Sequence, residues 1–158
     1  MLTGKRILLI VSGGIAAYKI PDLVRRLREA GSSVRCILTK NGAKFVTPLT
    51  LGALSEDKVY HDLFSLTDEH EMGHINLSRQ ADALLIAPAS ANILAKIAHG
   101  QADDLATTVV LASNKPLWVA PAMNTRMWEN PATKANLAAL NGRGINVIEP
   151  IEGDMACG

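Results

Sequence analysis

The residues best placed to do chemistry in this chain fall at the ends of apolar runs. Ile7-Leu8-Leu9-Ile10-Val11 leads into Ser12-Gly13-Gly14-Ile15-Ala16, and Ala83-Leu84-Leu85-Ile86-Ala87 leads into Pro88-Ala89-Ser90-Ala91-Asn92. Leu117-Trp118-Val119-Ala120 leads into Pro121-Ala122-Met123-Asn124. Each end combines small residues, which let a backbone approach a ligand closely, with a hydroxyl or amide side chain. A helix that starts directly after such a turn has first amides without intrahelical partners, and these attract anions, phosphates above all. The chemistry suggested is the holding of a phosphate-bearing cofactor over residues 12–16. The first turn alone does not decide it. The dinucleotide fingerprint Gly-x-Gly-x-x-Gly would end in a third glycine where Ala16 and Ala17 stand, and an ordinary strand-to-helix turn has the same composition.

Other side chains carry weaker signals. Asn124 offers two donors and an acceptor, suited to a carboxylate or an amide. Met123, Met127 and Trp128 wall an apolar pocket or fill a core, and spacing favours the core. Thr39 ends the run Val34-Arg35-Cys36-Ile37-Leu38, where α/β sheets place ligands; its hydroxyl reaches a phosphate or simply forms a turn. His74, in Gly73-His74-Ile75, is a lone histidine that gains interest only if the fold carries it to a ligand. Asp68-Glu69-His70-Glu71 reads as a solvated charged loop rather than a metal site. Cys36 lies within a strand and reads as inert, whereas Cys157 sits between small residues near the end of the sequence. Two cysteines this far apart make neither a metal spacing nor a disulfide framework.

The elements that must position these residues alternate between strand and helix. Ile20, Leu23, Val24 and Leu27 recur at helical intervals, Gly31 ends that helix, and Pro21 predicts a kink inside it. Residues 42–55 read as one or two short helices broken at Pro48, and 56–72 as loop with a short strand. Helices are expected from Asn92, from Asp103-Asp104 to Ala112, and over 132–140, with a last strand at Asn146-Val147-Ile148. Alternation of this kind implies right-handed crossovers and a parallel sheet with helices on both faces. The expected fold is a single-domain α/β, Rossmann-like (flavodoxin-like) arrangement over residues 1–158.

Composition narrows the function classes. Of 158 residues, 48% are apolar but only 4% aromatic, so the core is aliphatic. A net charge of +1 argues against a general electrostatic grip on nucleic acid. No apolar run approaches the ~20 residues of a membrane span, and no secretory leader is evident. A cytoplasmic setting is expected.

Taken together, Ser12-Gly13-Gly14-Ile15-Ala16-Ala17-Tyr18-Lys19, Gly73-His74-Ile75, Pro88-Ala89-Ser90-Ala91-Asn92, Pro121-Ala122-Met123-Asn124-x-x-Met127-Trp128 and Ala156-Cys157-Gly158 occur in an order that resembles the homo-oligomeric flavin-containing cysteine decarboxylases. The resemblance covers essentially the whole chain and is nearest to the family branch acting on 4'-phosphopantothenoylcysteine. It implies FMN rather than a dinucleotide. The phosphate would lie near Ser12, Gly13, Gly14, Ile15, Ala16, Thr39 and the Ser90 loop. The ring would lie across the 88–92 loop, through Pro88, Ala89, Ser90 and Asn92, and the 121–124 loop, with Asp103 as a further cofactor contact. Ala122, Met123, Asn124 and Met127 would contact substrate, and no metal is implied.

The implied reaction answers a physical need. A carboxylate beside an ordinary cysteine amide has nowhere to place the electrons released as carbon dioxide leaves. Oxidising the thiol to a thioaldehyde creates that sink, decarboxylation gives an enethiol, and reduction yields 4'-phosphopantetheine, on the route to coenzyme A. By the same resemblance Asn124 holds the substrate carboxylate, His74 acts as base or orienting group, and Cys157, on a flap, donates the last proton. Trimers assembled into a dodecamer, a flap that continues past Gly158 and a following phosphopantothenate–cysteine ligase domain are also implied. Two departures stand out. Ile93 replaces a Thr that relatives often carry, and Asp103-Asp104-Leu105 leaves open which acid faces flavin. Three rivals share the fold: a peptide cysteine decarboxylase, a flavin prenyltransferase, and a non-catalytic flavin-binding regulatory subunit. The Pro-Ala-Met-Asn loop and Cys157 argue for the phosphopantothenoylcysteine branch.

Overall fold

The computed structural model describes residues 2–61, 63 and 73–151. The segment Asp68-Glu69-His70-Glu71 and the tail that carries Cys157 lie outside the described residues. Six parallel strands form one sheet in the order β3-β2-β1-β4-β5-β6, the order of the doubly wound Rossmann arrangement. They are β1 Arg6–Val11, β2 Ser33–Leu38, β3 Val59–Tyr60, β4 Ala83–Ala89, β5 Leu117–Pro121 and β6 Asn146–Val147.

The apolar runs become strands because both faces of the sheet are covered. Side chains alternate across a strand, so Leu8 and Ile10 enter one core while Leu9 and Val11 enter the other. The second core is closed by α1 (Ile20–Glu29) and α2 (Pro48–Ser55), through Ile20, Val24 and Leu51. On the first face lie α3 (His74–Arg79), α4 (Ala91–Ala98), α5 (Leu105–Ala112) and α7 (Pro131–Gly142), with α6 (Thr125–Glu129) between β5 and α7. They contribute Leu77, Ile93, Leu94, Val109 and Leu140 to that core. Cys36 is buried in β2, where burial pushes its thiol pKa up to about 12, so it stays protonated and inert.

Pro21 does not kink a helix. The segment Ile15–Lys19 is a separate 3-10 turn, and α1 begins afresh at Ile20 with Pro21 in its first turn. A missing N–H is harmless there, because first-turn amides lack intrahelical acceptors. Pro48 opens α2 in the same manner, behind a Thr47 cap on the Thr50 amide.

At the amino edge, Asp82 ties the start of β1 to the start of β4. Its carboxylate accepts from the Arg6 backbone N–H at 2.8 Å and from its guanidinium at 3.0 and 3.1 Å. The Arg6 side-chain hydrogen bonds hold the Asp82 carboxyl well below its ordinary range. A depressed carboxyl contributes stability above the unfolded-state value and loses it as pH falls toward the folded-state one. Asp82→Asn is therefore expected to lower the denaturant midpoint at neutral pH. The gap to the unmodified chain should close as pH drops below the ordinary aspartate value of 3.8, as denaturant titrations across pH would show.

Candidate active site

The strand order reverses between β1 and β4, and such a switch point leaves a crevice beyond the carboxyl ends of the strands. The ends of β1, β2, β4 and β5 meet there and are stitched together. Thr39 N–H donates to the Val11 carbonyl at 3.1 Å, and Ala122 N–H donates to the Ala89 carbonyl at 3.1 Å. Ser12, only 2% exposed, donates its hydroxyl proton to the Pro88 carbonyl and accepts from the Ser90 N–H at 3.0 Å. Three of the sequence-predicted segments thus stand side by side.

Within this crevice the turn after β1 offers amides. Among the described residues, the backbone N–H groups of Gly13, Gly14, Ile15 and Ala16 donate to no backbone oxygen outside the helical turn itself, whereas Ala17 N–H is taken by the Gly14 carbonyl. Ser90 caps α4 by accepting from the Ile93 N–H at 3.2 Å, and Thr39 Oγ1 accepts from the Gly42 N–H at 3.0 Å. In both cases the hydroxyl uses a lone pair, which leaves its proton to donate. Asn92 is exposed beside the Ser90 cap. Open amides and two hydroxyl protons at one crevice fit a phosphate.

Gly13 is glycine because of its neighbour. A Cβ there would stand 2.5 Å from the Asn41 Cβ, while a Cβ at Gly14 meets nothing within 4 Å. Gly42 is equally constrained, since a Cβ on it would stand 2.5 Å from the Val11 carbonyl oxygen. The pair Asn41-Gly42 interlocks the turns after β1 and β2. Motif reasoning misses it, and the Asn-Gly dipeptide just beyond Thr39 is the one signal that points there. Gly13→Ala is expected to cost about 1–3 kcal/mol through overpacking. Gly14→Ala should leave the unfolding midpoint unchanged and act only on a ligand lying over the turn. Denaturant melts and flavin titrations of both variants separate these effects.

Asn124 caps α6, its Oδ1 accepting from the Met127 N–H at 2.9 Å, and the residue is exposed. The cap uses only the carbonyl, so both protons of its amide nitrogen remain available. Met123 packs against the core, as its spacing favours, whereas Met127 is 44% exposed. Trp128 is half-buried under the Lys134 ammonium, 4.2 Å from the ring centre. Ala122 is half-buried between the β5 end and the Asn124 cap.

His74 is the first residue of α3 and half-buried, and it lines a cleft of about 300 Å³ with Gly73, Ile75, Asn76 and Arg79. Its Nδ1 is buried without a hydrogen-bond partner. A buried imidazole nitrogen left unpaired costs free energy, and such groups in native structures accompany strain, a bound water or a catalytic role. Among the described residues, no hydrogen bond joins His74 to the Ser12, Thr39 or Ser90 group. Asp103 is exposed and held by the Lys96 ammonium at 3.0 and 3.1 Å, which lowers its carboxyl pKa. Asp104 caps α5 reciprocally with Thr107. Both acids named as flavin candidates are thus already paired within the chain. Among the described residues no cluster of His, Cys, Asp or Glu forms a metal site, and no helix is long and apolar enough to cross a membrane.

A parallel sheet with open amides and hydroxyl protons at its switch point has the construction of a mononucleotide-binding α/β protein. The chain belongs to the Flavoprotein family, which matches residues 1–158. It is 48% identical over 157 residues to the coenzyme A biosynthesis bifunctional protein CoaBC of Vibrio vulnificus (strain YJ016), and 46% identical over 158 residues to that of Bacillus subtilis (strain 168). These alignments cover 99% and 100% of the chain but 39% of each relative, so the chain spans about two-fifths of their length. Among solved structures, a PPC decarboxylase mutant complexed with pantothenoylaminoethenethiol is 39% identical with a TM-score of 0.83, covering 98% of this chain and 87% of that one. The FMN-dependent cysteine decarboxylase SpaF is 35% identical with a TM-score of 0.88, covering 97% and 88%.

Proposed function

We propose that this chain is an FMN-dependent carboxy-lyase that converts 4'-phosphopantothenoylcysteine to 4'-phosphopantetheine. The observation that carries the reading is its likeness, along nearly its whole length, to the PPC decarboxylase complexed with pantothenoylaminoethenethiol. The CoaBC relatives, bifunctional proteins of which the chain spans 39%, support it; on this reading the chain is the decarboxylase part, followed by a flap and a ligase domain. FMN, when bound, supplies the two-electron acceptor that thiol oxidation requires.

The chain's own residues do the rest. The amides of residues 13–16 and the hydroxyl protons of Thr39 and Ser90 bind the phosphate. The Pro88–Ser90 and Ala122–Asn124 loops flank the ring and exclude water, with Met127 against the substrate. Asn124 orients the substrate carboxylate by donating from its amide nitrogen. His74 acts through its imidazole as base or orienting group, and Cys157 donates from Sγ in the final reduction. Exposed Ile15, Tyr18 and Ile75 are apolar surface suited to self-association, in line with trimers and a dodecamer.

Purified chain with its native continuation, supplied with FMN and 4'-phosphopantothenoylcysteine, is expected to release one carbon dioxide per phosphopantetheine formed. Protein that binds no flavin, or one that leaves this substrate untouched, would overturn the reading. A likeness to EpiD complexed with the substrate peptide DSYTC, at 26% identity and a TM-score of 0.84, favours one rival, a peptide cysteine decarboxylase, and turnover of a peptide ending in cysteine in place of the pantothenoyl substrate would establish it. Cys157→Ser is expected to release carbon dioxide still while the oxidised enethiol accumulates, measured by mass spectrometry; normal phosphopantetheine output would remove Cys157 from the proton step.

A further inference from the structure

Ser12 stands first in the turn that faces the cofactor, and a serine in that position reads as a phosphate ligand. Its surroundings say otherwise. The side chain is 2% exposed, its proton goes to the Pro88 carbonyl, and one lone pair accepts from the Ser90 N–H at 3.0 Å. A serine hydroxyl has one proton and two lone pairs. What remains on Ser12 is a lone pair, and a phosphate monoester, mostly dianionic at neutral pH, offers only acceptors. The two cannot bond. Thr39 and Ser90 differ, because their hydrogen bonds to backbone amides use lone pairs and leave the protons available.

We propose that Ser12 is a positioning residue. Its buried hydroxyl clasps the end of β1 to the end of β4 and sets the gap across which the phosphate is held, without touching the phosphate. The clasp reaches β4 just where that strand's pairing with β5 shifts register, between Ile86 and Ala89, so the ladder hydrogen bonds there are irregular. It also fixes the backbone of Ser90, whose side chain caps α4. The Ser12 N–H also reaches the Pro88 carbonyl, at a longer 3.4 Å, and the hydroxyl adds to it the shorter bond and the hold on Ser90 that fix the separation of the 13–16 amides from the Ser90 hydroxyl. On the opposite flank Gly13 is held against Asn41, so the turn is located from both sides. The assignment rests on the FMN reading for its ligand, but the clasp itself is a property of the flavin-free chain.

The test uses Ser12→Ala with two measurements. Amide hydrogen exchange of Ser90 in the flavin-free chain is expected to speed up, because its N–H loses its acceptor. The Kd for FMN is expected to rise about tenfold, the scale of one buried hydrogen bond lost at a site, while the Kd for riboflavin, which lacks the phosphate, changes by less than about threefold. Unchanged Ser90 exchange overturns the clasp; if FMN nonetheless binds more weakly, Ser12 is a direct ligand. Equal weakening of FMN and riboflavin overturns the assignment to the phosphate end. Faster Ser90 exchange with FMN affinity intact overturns the positioning role. If the unmodified chain binds no FMN, the functional reading fails while the exchange result still reports on the clasp. Should Ser12→Ala not fold, Ser12→Cys keeps a side chain of similar shape with a weaker donor and acceptor, and the same measurements apply.

Discussion

Asn124→Asp is expected to reduce kcat/KM by about 10²–10³-fold or more while leaving the fold and flavin content intact. The two halves of this result come from the two ends of one side chain. Asn124 Oδ1 caps α6 through the Met127 N–H, and an aspartate oxygen fills that position at least as well, since a negative charge suits a helix N-terminus. The amide nitrogen carries the protons proposed to hold the substrate carboxylate. In aspartate that nitrogen becomes a second anionic oxygen, and two carboxylates brought together repel. Asn124→Ala provides the contrast, because it removes cap and donor together and should cost about 0.5–2 kcal/mol of stability as well as activity. Turnover, flavin absorbance and a denaturant melt on both variants separate the roles. Unchanged turnover in Asn124→Asp would remove the residue from the site.

Much of the frame is legible in the sequence because its signals are local. The runs at residues 7–11, 83–87 and 117–120 are apolar on both faces and 34–38 is apolar but for Arg35, the pattern of parallel strands covered on both sides, and each is a strand in the sheet. Ser90 and Asp104 announce caps by residue type, and both cap. Pro21 misleads because its missing N–H and ring clash disturb only a helix that continues from the preceding turn, and the 3-10 turn that ends at Lys19 makes room for a fresh helix start. The Asn41-Gly42 dipeptide marks a turn locally, but not the clash that makes Gly42 necessary, since the carbonyl it would strike belongs to Val11 on another strand. Ser12 is legible as important and illegible in role. Its partners, Pro88 and Ser90, become neighbours only because β4 lies beside β1 at the switch point.

His74→Leu is expected to abolish most turnover, by about 100-fold or more, while the flavin-free chain keeps its stability or gains some. A histidine that served the fold would behave in the opposite way, since replacing it would break bonds that the structure depends on. His74 makes no such bond through Nδ1, which is buried and unpaired. Leucine fills a similar volume without a polar atom to desolvate, and relief of an unsatisfied buried group is worth about 1–3 kcal/mol. The rest of α3 holds without it, because Leu77 and Ser78 are the buried residues of that helix and Gln80 binds Arg35. Retention of a stability cost at one position is characteristic of residues kept for activity. A melting midpoint that falls, with turnover reduced only in proportion to the folded fraction, would assign His74 to the fold. A midpoint that holds or rises while turnover collapses would assign the His74 imidazole to the chemistry.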